Sequence, residues 1–566
     1  MLPSLLTYAL TLSLSALSIS PLISALPQIT RTGKYLYDPS GNRFSIKGVA
    51  YQPEGVLAAS SEANDANGGF PEPSSFLDPL SSPANCTRDI PYLKQLGVNA
   101  VRVYSVNSSL DHDTCMSALS SAGIYVLLDV SLPLNGSIDR SVPAWTTNLL
   151  DLYLTTIDAF LKYDNLLAFN IGNEVINLPS NTNAAPYVKA AARDTKAYLQ
   201  SVNSSALVGY SAVDGDADFR NTLAEYLSCG NDSISVDIYG LNNYEWCGNE
   251  TLQSSHWDVI TSGFSQIPVV TYMSEFGCIM SPPRLWTEVQ ALYTSPVSDV
   301  FSGGVAFSYF PTSDGYGMVT FSSDGSTVQV SDDFSRLSAE YNATSFPTSP
   351  AKSAVTVNTI GCPAQNASLL ASTIIPPTPD ESACNCVNSN ALACRANPST
   401  IDEPIVVGML TDYACSLLGS SGAGSSCDAI AGNGSSGVYG SLSMCSPAIK
   451  LSYAMSAYYE FNPVDSSCDF GGNATLSSSR PNTAQDASSA AASCLNAAPS
   501  GGVFTPTALS SSATASSTSS GTSASGSKTA SPSQSKAASS LRVETTRLSP
   551  FIGIMGVLLG GAWVLL

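Results

Sequence analysis

Residues 124–174 read IYVLLDVSLPLNGSIDRSVPAWTTNLLDLYLTTIDAFLKYDNLLAFNIGNE. This stretch opens on a continuous apolar run, IYVLLDV (124–130), and closes on a second, LLAFNIGNE (166–174). Between them Leu149, Tyr153, Ile157 and Phe160 recur at helical spacing. Strands covered on both faces read as unbroken apolar runs, so this is a strand–helix–strand unit of a parallel sheet. The same kind of run recurs on either side: FSIKGVAY (44–51), VNAVRVY (98–104), ALVGYSAV (206–213), SVDIYGLN (235–242), PVVTYMSE (268–275) and GVAFSYF (304–310). Helical patterns fill most gaps, one beginning at Arg88–Leu93 and another over Pro186–Leu199. Eight runs alternating with helices predict an α/β fold, a (β/α)8 TIM barrel. The competing open, doubly wound sheet calls for a Gly-rich phosphate loop after its first strand, and YQPEG stands there instead.

Composition narrows the function. The chain has 566 residues, with 23 Lys plus Arg against 44 Asp plus Glu, a formal charge of −21. A phosphate backbone repels such a chain, which argues against nucleic acid as a partner. Two His residues cannot build a His-rich metal site, and no metal or cofactor is expected. Of 14 Cys, six lie thinly before residue 370 and eight crowd between Cys384 and Cys494. That shift marks a second, disulfide-rich domain, and the even count fits an oxidising compartment.

In a (β/α)8 barrel, chemistry gathers at the C-terminal ends of the strands. The fourth run ends in Asn173-Glu174 and the seventh in Glu275. A carboxylate at the end of a buried strand is costly unless it has partners or work. Either Glu alone is more often a helix N-cap partner or a surface salt bridge. Two carboxylates facing one cleft, however, are the layout of a retaining glycosidase. Tyr104, Asp129, Asn242-Asn243-Tyr244 and Tyr309 stand at other strand ends, where aromatic and amide groups suit sugar faces and hydroxyls.

IKGVAYQP (46–53), CTRDIPYLKQLGVNAVRVYSVN (86–107), GNEV (172–175), LNNYEWCG (241–248) and SEFGC (274–278) together resemble glycoside hydrolase family 72, the fungal β-1,3-glucanosyltransferases. The stretch CDAIAGNGSSGVYGSLSMCSPAIKLSYAMSAYY (427–459) resembles the X8 carbohydrate-binding module, a small, mainly helical, disulfide-rich domain. The resemblance implies Glu174 as general acid/base and Glu275 as nucleophile, with Tyr244 beside the nucleophile. It implies glucan contacts at Gln52, Tyr104, Asp129, Asn173 and Tyr316. It also implies the disulfides Cys86–Cys115, Cys229–Cys362 and Cys247–Cys278. Where many members carry Tyr-Glu-Tyr, this chain has Phe307-Ser308-Tyr309, so one hydroxyl contact is missing at Phe307.

The expected organisation is a secretory signal at 1–25, a catalytic barrel at 26–375, the X8 module at 380–497, a Ser-rich stalk at 498–540 and a removed GPI-attachment signal at 541–566. Sequons recur from Asn85 to Asn473, as secretion would allow. The expected protein is a monomer on the cell surface or in the wall, held to the membrane by a GPI lipid. It would cleave a β-1,3-glucan donor and join the new reducing end to a second β-1,3-glucan. A hydrolytic endo-β-1,3-glucanase and a non-catalytic wall mannoprotein are the alternatives. For the X8 module, sugar binding and buttressing of the barrel both stand open. Tyr439, Tyr453, Tyr458 and Tyr459 are candidate stacking residues, and Tyr453 and Tyr458 are equally candidate core. Eight Cys allow too many connectivities for a choice, and a zinc reading of Cys384-x-Cys386 is disfavoured without nearby His.

Overall fold

The computed structural model describes residues 25–56, 75–133, 136–420 and 426–497. The expected leader up to residue 24, the stalk and the C-terminal signal lie outside the described residues, as does the Asn135 sequon. Among the described residues no helix is long and apolar enough to cross a membrane.

Eight parallel strands close a barrel: β1 (Ile46–Ala50), β2 (Ala100–Val103), β3 (Tyr125–Asp129), β4 (Leu166–Asn173), β5 (Leu207–Val213), β6 (Ile238–Asn242), β7 (Val270–Phe276) and β8 (Phe301–Ala306). Each is followed by a helix: α1 (Pro83–Leu96), α2 (Asp113–Ser121), α3 (Thr147–Phe160), α4 (Ala185–Ser201), α5 (Ala217–Ser228), α6 (Trp257–Phe264), α7 (Glu288–Leu292) and α8 (Asp332–Ala343). α1 starts at Pro83, upstream of the expected Arg88, because proline is favoured in a first turn where its missing N–H costs nothing. It ends at Gly97, whose φ of 83° suits glycine and whose N–H caps Leu93 and Lys94 carbonyls.

Strand alternation sorts the side chains into two cores. Ile46, Ala50, Ala100, Tyr125, Leu127 and Val270 fill the barrel interior. Val49, Val101, Val103, Val126 and Leu128 pack outward against the helices. A small antiparallel sheet (Thr30–Thr32, Tyr35–Tyr37, Arg43–Phe44) supplies Leu36 to the interior core. Moving up the same inward rows, Ala100 gives way to Arg102 and Leu127 to Asp129, so the top of the interior is polar.

The last strand corrects the sequence reading. It spans Phe301–Ala306, three residues earlier than the run 304–310 implied. Tyr309 therefore lies beyond the strand. It is fully buried, packs on Tyr51 and Phe310, and donates its hydroxyl to Asp89 at 3.2 Å. A ring without exposed face offers nothing to a sugar, so Tyr309 is core.

Disulfides join Cys86 to Cys115, Cys229 to Cys362 and Cys247 to Cys278 in the barrel region. The X8 region has its own apolar core around α9 (Glu381–Asn390), α10 (Pro404–Ser420), α11 (Pro447–Phe461) and α12 (Ala484–Asn496). Its pairs are Cys384–Cys445, Cys386–Cys494, Cys394–Cys468 and Cys415–Cys427. Cys384 and Cys386 go to different partners, which removes the zinc reading.

This second body packs on the barrel through α3 and α4. Thr147 N donates to Met444 O at 2.9 Å and Ser372 N to Gly434 O at 2.8 Å. Tyr439 meets Tyr187 edge-on at 5.7 Å and donates to Ile374 O at 2.9 Å. Tyr439 is thus a docking residue rather than a sugar platform. Tyr453 and Tyr459 pack against the X8 core, and Tyr458 meets Phe470 edge-on. A Cβ on Gly434 would sit 1.9 Å from Asn183 O. Gly434→Ala is therefore expected to loosen the seam by about 1–3 kcal/mol. Calorimetry would detect this as a lower or split transition, with faster proteolysis around residues 366–378.

Candidate active site

The site grows from the two inward polar rows at the top of the barrel. Arg102, on β2, has no exposed surface. Its Nη2 donates to Asp129 Oδ2 at 2.8 Å and Asn173 Oδ1 at 2.9 Å. Its Nη1 donates to Glu275 Oε1 at 3.3 Å. One planar fork thus joins the ends of β2, β3, β4 and β7, a task for which a lysine point charge has too few fixed donors.

Glu275 is 8% exposed. A register irregularity between Met273 and Glu275 in the β6–β7 pairing interrupts the strand's alternation. Such irregularities re-aim side chains near active sites. Glu275 Oε1 accepts from Tyr104 Oη at 2.9 Å, and Oε2 accepts from Tyr244 Oη at 2.8 Å. Burial pushes the Glu275 carboxyl up to about 7, although Arg102 and both phenols pull it down. The nearby Glu174 charge adds to the rise. Burial also holds both phenols well above their ordinary range, so they remain donors.

Glu174 follows β4 with a φ of 50°, a left-handed conformation that is strained for a side chain bearing a Cβ. Its N–H donates to Ser211 O at 2.8 Å, and Arg140 Nη2 donates to its carbonyl at 2.8 Å, which fixes the turn. Asn242 Nδ2 donates to Glu174 Oε1 at 2.7 Å and to Asn173 Oδ1 at 3.1 Å. Ser274 Oγ donates to Asn242 Oδ1 at 2.7 Å, so the Asn242 amide is oriented with its NH2 toward the carboxylate.

The remaining expected residues divide. Tyr104, Tyr244 and Tyr316 are half-buried beside Glu275 and joined by Phe307. Asn173 is half-buried beside Glu174 within the same network. Asp129 is 1% exposed, and the partner that the structure shows for its carboxylate is the Arg102 guanidinium. Gln52 is committed to the main chain: its Oε1 accepts from Tyr104 N and Ser105 N, and its Nε2 donates to Leu77 O at 2.6 Å. It props the loop bearing Tyr104.

Asn242 was visible in the sequence as a strand-end amide, but Arg102 did not stand out as a site residue. The available signal was an arginine inside an otherwise apolar inward row, where a charge must have buried partners. The Cys247–Cys278 disulfide ties the loop after β6, which carries Tyr244, to the loop after Glu275.

The hydroxyls donated to Glu275 also tune it. Because both phenols lower its pKa, Tyr244→Phe and Tyr104→Phe each raise it. A nucleophile works ionised, so the acidic limb of kcat/KM is expected to move to higher pH in both variants. Its failure to move in a pH–rate series would remove the phenols from this role.

Comparison with known proteins agrees with this geometry. Residues 20–345 match the glucanosyltransferase family of glycoside hydrolase 72, and residues 392–475 match the X8 domain. The chain is 41% identical to the 1,3-beta-glucanosyltransferase gas1 of Schizosaccharomyces pombe, over 82% of this chain and 81% of that one. It is 38% identical to pH-responsive protein 2 of Candida albicans, over 80% and 79%. Among solved structures it is similar to Saccharomyces cerevisiae Gas2p in complex with laminaritriose and laminaritetraose. That match has a TM-score of 0.71 and 36% identity, covering 81% of this chain and 99% of that one. A closed barrel with paired glutamates, matched over more than half its length, places this chain in the glycoside hydrolase family 72 glucanosyltransferases, with an X8 domain behind the barrel.

Proposed function

We propose that this β-1,3-glucanosyltransferase works by retaining double displacement, with Glu275 as nucleophile and Glu174 as general acid/base. The observation that carries the assignment is the unequal hydrogen bonding of the two carboxylates. Glu275 receives two phenol hydroxyls and a guanidinium N–H, which support negative charge, whereas Glu174 Oε1 receives one side-chain amide.

Glu275 attacks the anomeric carbon of a β-1,3-glucan donor. The bond to the leaving oxygen breaks as Glu174 gives it a proton, and a glycosyl ester forms at Glu275. Esterification removes the negative charge beside Glu174, which then acts as base. It takes the proton from a hydroxyl at the non-reducing end of a second glucan, and that oxygen displaces Glu275. Bonds to sugar are exchanged one for one, so no nucleotide sugar is consumed. Direct attack calls for carboxyls about 5–5.5 Å apart. Transfer outruns hydrolysis where an acceptor is held at high effective molarity. The rings of Tyr104, Tyr244, Phe307 and Tyr316 are the surface for holding sugar.

The site is complete within one chain, which supports a monomer. The leader, the Ser-rich stalk and the apolar C-terminal run support secretion and GPI anchorage at the cell surface, where glucan is the substrate at hand.

The test is product sizing with reduced laminari-oligosaccharides of defined length. Products both longer and shorter than the donor are expected. Shorter products alone would make this a hydrolase, and inertness would move it to the wall-binding reading. Release of the protein from intact cells by a phosphatidylinositol-specific phospholipase checks the anchor.

A further inference from the structure

Arg284 stands outside the carboxylate network, on the segment between β7 and α7, yet it is 7% exposed. Its Nη1 donates to two main-chain carbonyls, Phe307 O at 2.6 Å and Gly277 O at 3.3 Å. Gly277 is two residues past Glu275, and Phe307 is the first residue beyond β8. Its Nε donates to Asp333 Oδ2 at 2.6 Å, and Nη2 pairs with the same oxygen. Asp333, in the first turn of α8, also accepts from Trp286 Nε1 at 2.9 Å. The guanidinium lies 4.4 Å from the Trp286 ring centroid and 5.8 Å from that of Tyr316.

These contacts converge on the rings around Glu275. The Phe307 ring meets Tyr104 at 6.3 Å, Tyr244 at 6.5 Å and Tyr316 at 5.1 Å, each close to edge-on. Tyr316 also lies 5.7 Å from Tyr244. The ring at 307 has no hydroxyl to fix it, so its place depends on packing and on its own main chain. Arg284 holds that main chain by the Phe307 carbonyl and lies beside the neighbouring Tyr316 ring. The close approach is built in: a Cβ on Gly277 would sit 2.4 Å from the Trp286 ring. Lysine offers a point charge and cannot span two carbonyls and a carboxylate in one plane.

We propose that Arg284, held by Asp333, is a positioning residue for the glucan-binding aromatic wall of Phe307, Tyr316, Tyr244 and Tyr104. The proposal rests on the reading of that wall as a sugar surface. It acts through the wall and not through the ionisation of Glu275, so it governs how well glucan is held.

The experiment measures KM and kcat for laminari-oligosaccharide transfer, the pH profile of kcat/KM and the thermal midpoint. It compares wild type, Arg284→Lys, Asp333→Asn, Tyr316→Leu and Arg284→Lys/Tyr316→Leu. For Arg284→Lys the expected result is a KM raised about five- to tenfold, with kcat within about twofold. The acidic limb stays in place. Asp333→Asn moves KM the same way and carries the test if Arg284→Lys fails to fold. Tyr316→Leu alone raises KM, and adding Arg284→Lys to it raises KM by less than the product of the two single effects, because both act through one aromatic wall. A lower thermal midpoint or kcat in Arg284→Lys and Asp333→Asn with KM unchanged makes the residue merely structural and overturns the proposal. An unmoved KM in Tyr316→Leu instead fails the sugar-wall reading beneath it.

Discussion

Glu275→Gln and Glu174→Gln are each expected to lower glucan transfer by about a thousandfold or more, with the protein still folded. The two losses differ in kind. Without Glu275 no glycosyl ester forms, and without Glu174 it forms only from donors whose leaving group needs no proton. A laminari-oligosaccharyl β-fluoride supplies such a leaving group, and azide can then replace the acceptor. The alanine variants make the distinction visible. Glu174→Ala still forms the ester on Glu275, and azide displaces it to give the β-azide. In Glu275→Ala azide enters the vacated space and attacks directly, giving the α-azide. NMR of the anomeric proton reads the difference, and exchanged stereochemistry would reverse the two roles. Stability gives an independent signature. Burial raises Glu275 in the folded chain to about 7 from an ordinary 4.5. The native state therefore binds this proton more tightly than the unfolded state does. That contribution is fully present below about pH 4.5 and is lost as pH rises through 7. Glu275→Gln removes the titration, so its thermal midpoint is expected to fall less than wild type between pH 4.5 and 7.

The barrel was readable because its signal is redundant. Eight apolar runs alternate with helical spacing, and one misplaced boundary leaves the count intact. β8 was misplaced for a local reason. The run read from Gly304 leaves out Phe301, Ser302 and Gly303, yet a Cβ at Gly303 would sit 2.1 Å from Ile46 O, so glycine is what lets β8 approach β1. The aromatic-rich stretch just after it, Phe307-Ser308-Tyr309-Phe310, then reads as strand although it lies beyond the ladder. Tyr309 went wrong with them. The glutamates were readable because a carboxylate at the end of an apolar strand is conspicuous. Their supports were not. Asp129 was visible as a polar strand end, but its partner Arg102 is two strand positions along from Ala100; pairing of β2 with β3 brings those two side chains together, and only closure of the barrel brings Arg102 to Glu275 on β7. Gln52 looked like a contact, while its amide is spent on Tyr104 and Ser105 main chain. The X8 disulfides could not be chosen at all, because pairing depends on which helices meet in space.

Arg102→Met is expected to cost about 3–5 kcal/mol of stability, more than loss of its own packing would explain. The reason lies in what it leaves behind. Asp129 is 1% exposed, and burial already raises its carboxyl while Arg102 pulls it down. Without the guanidinium, Asp129 takes a proton or stays as an unpaired buried charge, and Asn173 Oδ1 and Glu275 Oε1 each lose a donor. Glu275 is then pushed further up, so transfer at neutral pH falls with stability. A second substitution separates the two effects. In Arg102→Met/Asp129→Leu the orphaned carboxylate is gone and an apolar pair fills the top of the interior core. Replacing a buried ion pair by apolar groups of similar volume is often neutral. The double variant is therefore expected to recover most of the lost stability by thermal denaturation while remaining unable to transfer glucan. Recovery of both would mean that Arg102 serves the fold alone. Recovery of neither would mean that its hydrogen bonds to Asn173 and Ser274 O, and not its charge, hold the top of the barrel together.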